Sequence, residues 1–81
     1  MIDKKLVHAI LMVLAKEYGN YTSYDSIQVE GYESKQVQGY IAVMNDGGLI
    51  SFRGGDGIPG SSPMQIRICW KGYEWLEKNP V

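Results

Sequence analysis

The stretch VQGYIAVMNDGGLI, residues 37–50, limits what this chain can fold into more than any other. Val37, Ile41 and Met44 recur at helical spacing with Tyr40 beside them, which predicts a helix over residues 34–46 with one apolar face. Ser34 or Glu33 is its expected N-cap. The pair Gly47 and Gly48 ends it, and LISFR, residues 49–53, follows at once as a strand. A helix passing directly into a strand points to an α+β arrangement.

The rest of the chain fits around that core unit. Residues 4–18, KKLVHAILMVLAKEY, predict a first helix capped by Asp3 and ended by Gly19. Leu6, Ile10, Val13 and Leu14 form its main stripe. Val7, Leu11 and Tyr18 widen the stripe, and Met12 and Ala15 carry it further round. A helix this apolar needs cover on more than one side, from the rest of the fold or from a second subunit. NYTSYDS is a polar, tyrosine-rich connection, and SIQVE, residues 26–30, alternates as a short half-buried strand that Gly31 breaks. GGDGIPGSSP, residues 54–63, is dense in turn formers. MQIRICW, residues 64–70, predicts a strand with Ile66, Ile68 and Trp70 on one face and Gln65, Arg67 and Cys69 on the other. GYEWLEK, residues 72–78, closes the chain as a short helix. Two strands around a glycine-rich loop make a β-hairpin. The order predicts one domain over residues 1–81, a small winged helix-turn-helix with a β-hairpin wing and a short C-terminal helix. The first half of its helix-turn-helix is abridged. The expected core is Leu6, Ile10, Leu14, Val37, Ile41, Met44, Leu49 and Ile68.

Several kinds of chemistry are not expected. The single cysteine, Cys69, cannot form an intrachain disulfide, and with only His8 beside it no zinc site of the usual kind can be assembled. His8 lies in an apolar helix with no acid or nucleophile near it in sequence. The glycines of residues 54–60 precede a strand, whereas a phosphate-binding loop precedes a helix and normally carries a lysine. The expectation is a non-enzymatic protein without cofactor, metal or catalytic residues. LVHAILMVLA is too short to cross a bilayer and has no cleavage pattern after it, so the expected setting is the cytoplasm.

Three stretches resemble a known family. IQVEGYESKQVQGYI is similar to its strand, Gly-Tyr turn and helix. MNDGGLI is similar to its helix end and the start of its wing, and ICWKGYEWLEK to its closing segment, Leu-Thr-Trp-x-Gly-His-x-Phe-Leu. The family is the prophage-associated winged-helix group catalogued as domain of unknown function 2513. The matching positions are Gly31, Tyr32, Gly48, Leu49, Ile50, Trp70, Gly72 and Leu76. Tyr40 and Tyr73 stand where the family has histidines, and Cys69 where it has threonine. The resemblance spans roughly residues 5–78 and implies a winged-helix fold of bacterial or phage origin, without an activity.

Two functional readings stand side by side. In the first, the chain is an accessory regulator that binds double-stranded DNA weakly. Gln36 and Gln38 would reach bases from the second helix, and Lys35, Arg53 and Arg67 would reach phosphates. Eight Lys/Arg against nine Asp/Glu give a net charge of −1, so any basic patch must be local. In the second, the chain is a protein-interaction module that binds a host or partner protein. Gly39 and Ala42 cannot hydrogen-bond a base edge and suit close approach of another surface. Tyr21, Tyr24 and Tyr32 belong to a tyrosine-rich region of the kind enriched at interfaces. A homodimer through the first helix or the Trp70–Trp75 segment is expected in either case.

Overall fold

The computed structural model describes residues 2–54 and 64–80. Helix α1 spans Lys4–Ala15, strand β1 Thr22–Ser23, helix α2 Ser34–Asp46, strand β2 Ile50–Arg53, strand β3 Gln65–Ile68 and helix α3 Trp70–Lys78. A single 3₁₀ turn, Tyr24–Ser26, follows β1. The three strands form one antiparallel sheet in the order β1-β3-β2. The described residues therefore form a small α+β fold of three α-helices and a three-stranded sheet. The loop expected over residues 54–63 lies, apart from Gly54, outside the described residues.

Asp3 caps α1, its carboxylate accepting hydrogen bonds from the backbone N–H groups of Lys5 and Leu6 at 3.0 and 3.2 Å. The helix stops at Ala15, three residues short of the predicted end. Glu17 and Tyr18 donate to Leu14 and Ala15, three residues back, so the last turn tightens. Tyr18 and Gly19 then take positive φ, and Tyr18 points into solvent at 88% exposure rather than widening the apolar stripe. Leu6, Val7, Ile10, Leu11 and Leu14 are buried among α2, α3 and β3, so most of the cover that α1 needs comes from this chain itself.

The Gly47–Gly48 pair resolves into a defined stop. Gly48 takes φ +79° and donates to the Asn45 carbonyl, and Leu49 donates to the Met44 carbonyl. This is the paired hydrogen bonding of a Schellman motif, and Leu49 leads straight into β2. Cys69 then donates to the Leu49 carbonyl at 2.9 Å, so the end of β3 is tied to the start of β2. Gly72 sits against the same point. A Cβ there would lie 2.5 Å from the Leu49 carbonyl oxygen and 2.6 Å from Ile68 Cγ1. The start of β2 and the start of α3 thus meet at one close backbone approach.

Two predicted strand features are corrected. Residues 26–30 form no strand. Both edges of β3 are taken, by β1 and β2, and the ladder falls at Thr22–Ser23 instead. The alternation of residues 27–30 is still real as sidedness. Ile27 is buried and Val29 packs on the core, while Gln28 and Glu30 are exposed. Trp70 does not continue the inward face of Ile66 and Ile68. The strand ends at Ile68, Cys69 is the N-cap, and Trp70 opens α3 at 79% exposure, two residues before the expected start of that helix. Of the expected core, Leu49 is only half-buried. Val7, Leu11, Ile27, Ile50 and Ile66 join it.

The glycines give a paired test. Gly72→Ala should destabilise the fold by about 1–3 kcal/mol, because its methyl has nowhere to go. Gly39, in the exposed middle of α2 with nothing within 4 Å of a built Cβ, should behave oppositely. Gly39→Ala should stabilise by up to about 1 kcal/mol. Urea unfolding of both variants checks the pair.

Candidate functional site

The outer face of the sheet is set by register. Ser51 pairs with Arg67 and Arg53 with Gln65, while Ser23 pairs with Gln65 from the other side. Ile66 and Ile68 point inward and are buried, so their neighbours Gln65 and Arg67 point outward with Ser23, Ser51 and Arg53. No acidic residue occurs in the three described strands.

Tyr21, just before β1, organises this face. Its ring lies under the Arg53 guanidinium at 3.9 Å and within 5.8 Å of the Arg67 guanidinium. Both distances fall in the range where the ring quadrupole attracts a cation. Arg53 also donates from Nη2 and Nε to Gln65 Oε1 at 2.8 and 3.3 Å. The ring and the amide are neutral. Among the described residues, Arg53 is held by neutral groups alone, and Arg67 lies beside the same ring. The two guanidiniums lie within about one Debye length of each other, ~10 Å at 0.1 M salt, so their fields add over this surface.

The sequence-predicted residues divide accordingly. Arg53 and Arg67 come together, with Tyr21 and Gln65 as partners. The parity of β3 already put Gln65 beside Arg67, but the link to Arg53 depends on cross-strand register. Lys35 and Gln38 are exposed on α2, with Gly39 and Ala42 on the same open surface. Gln36 is otherwise engaged, its Oε1 accepting from the Glu33 backbone N–H at 2.9 Å. That contact, one limb of a capping box, holds the start of α2 and names Glu33 as the N-cap.

Most of the tyrosine-rich region is used inside the chain. Tyr32 donates from its hydroxyl to Asp3 Oδ2 at 2.7 Å, and the Asp3 backbone N–H donates to the Tyr40 hydroxyl at 2.9 Å. Asp3 therefore joins the start of α1 to the turn before α2 and to α2 itself. Tyr24 is half-buried against the core. Among the described residues no group of three His, Cys, Asp or Glu is placed to hold a metal, and no helix is long and apolar enough to cross a membrane.

Comparison with known proteins finds no matching family model, no matching curated protein and no matching solved structure.

The Asp3 contacts predict a pH dependence. The Tyr32 hydrogen bond, with those from Leu6 and Lys5, holds the Asp3 carboxyl below its ordinary 3.8 against the opposing pull of desolvation. A depressed folded-state value contributes stability above the unfolded-state pKa, and that stability is lost as pH falls through the folded value. The same bond raises the Tyr32 hydroxyl above its ordinary 10.0, so its contribution is full below that value and fades as pH rises through the folded one. Tyr32→Phe should be less stable than the wild type at neutral pH. The two unfolding curves should converge at the acid end and again in strong base, which denaturant melts across pH would reveal.

Proposed function

We propose that this chain is a winged-helix protein of prophage or bacterial type that binds duplex DNA without catalysing a reaction. β2 and β3 form the wing, and α2 is the helix presented to the groove. The observation that carries the reading is the pair of guanidiniums, Arg53 and Arg67, gathered beside the Tyr21 ring on a strand surface that carries no acid among the described residues. Such an arrangement suits phosphate oxygens, which guanidinium groups bind in a planar fork. Lys35, exposed in the first turn of α2, adds a third cation. The direction of the element sequence and the motif resemblance support the same reading.

Binding of this kind would position more than it specifies. Gly39 and Ala42 offer no hydrogen bond to a base edge, and Gln36 is occupied at the helix start. Gln38 is left as the base-reading candidate on that face. Affinity would rest on about three phosphate contacts and shape.

Anisotropy titrations with a random-sequence duplex should show log K falling with log salt at a slope of roughly −3. Arg53→Ala should weaken binding on every sequence and reduce the slope by about one unit. Gln36→Ala should leave sequence preference unchanged and lower stability by about 0.5–1.5 kcal/mol, the scale of one lost hydrogen bond. Absence of binding at low salt would sink the proposal.

A further inference from the structure

At the opposite end of β2 from Arg53, a groove opens between the start of α1, the second half of α2 and α3. Its deeper part is a hollow of about 150 Å³ whose lining includes Ile2, Tyr40, Val43, Leu49 and Trp75. Ile2 and Val43 stand at its rim with 64% and 57% of their surface exposed. A second hollow of about 290 Å³ continues from it, lined by Leu49, Lys71, Glu74, Trp75 and Lys78. Leu49 and Trp75 belong to both, so the two form one groove with an apolar floor at one end and a charged rim at the other.

Among the residues that line the second hollow, two lysines stand against one glutamate. Lys71 and Lys78 are two turns apart on one face of α3, and Glu74 lies between them. One carboxylate can offset only one of the two ammonium groups. The Lys71 stem runs over Gly48, so that a Cβ there would lie 3.3 Å from Lys71 Cδ.

We propose that this groove docks an acidic peptide segment of a partner protein, with one large aliphatic or aromatic side chain in the hollow and carboxylates at Lys71 and Lys78. The deep hollow has the volume of roughly one large side chain with space around it. The rim then selects the sign of the residues beside that anchor. A second copy of this chain fits less well. An antiparallel α3 pair centred on Trp75 would bring the lysines of one copy against those of the other. This surface is separate from the Tyr21, Arg53 and Arg67 cluster, and its occupant does not depend on the DNA reading.

The test is a selection of random displayed peptides on the immobilised full chain, counter-selected on Val43→Asp. Enriched peptides are then synthesised and titrated by fluorescence anisotropy. The expected winners carry Leu, Phe, Trp or Met flanked by Asp or Glu. Val43→Asp should weaken them at least about tenfold. Lys71→Glu combined with Lys78→Glu should do the same and favour peptides with the charges reversed. Both sites are exposed enough for folding to persist, and Ile2→Asp serves as a second groove variant if Val43→Asp melts early. Arg53→Ala with Arg67→Ala should leave peptide binding unchanged while removing DNA binding. The proposal is overturned by enrichment of neutral or basic peptides, by winners indifferent to the groove variants, by no enrichment at all, or by wild-type self-association that Val43→Asp abolishes.

Discussion

Enclosure of α1 is the constraint on which the rest of the structure depends. Five of its twelve residues are buried apolar side chains, and each burial is worth about 1.5–3 kcal/mol. No single neighbour could cover them. Helix α2 covers one side, α3 another, and β3 a third with Ile66 and Ile68. The joints between these covering elements are correspondingly tight. Gly72 lets α3 seat against the Leu49 carbonyl, the Gly47–Gly48 stop turns α2 into β2, and Asp3 ties the helix start to Tyr32 and Tyr40.

That enclosure leaves two different surfaces outside. The outer sheet face has no apolar duty, so its side chains are free to be polar, and Tyr21 gathers two arginines there. At the other end of β2 the covering helices do not meet completely. The gap between them exposes Ile2 and Val43 beside a lysine rim. A strand of four residues separates the cationic end from the apolar one.

Much of this was legible in the sequence. Val37, Ile41 and Met44 repeat at helical spacing and are all buried, and the glycine pair ends α2 where it should. The errors share a cause. Period-two alternation at residues 27–30 reported which side chains turn inward, but a strand also needs a partner, and the segment that pairs with β3 is Thr22–Ser23. Trp70 continued the alternation of β3 in sequence, yet its backbone had already entered α3. The arginine cluster was half visible. Parity put Gln65 and Arg67 together, whereas the approach of Arg53 and Tyr21 depends on register set across the hairpin and on the position of β1. Glutamine at position 36 looked available for base contact because capping is decided by local geometry rather than residue type.

The most direct test of the account is an amide NMR titration of the full chain with random-sequence duplex DNA at low salt. The account predicts shifts at residues 21–23, 51–54 and 64–67 and along the exposed side of α2 from Lys35 to Ala42, with Val43 and residues 71–78 undisturbed. Shifts confined to Val43 and residues 71–78, or no shifts at all, would contradict it.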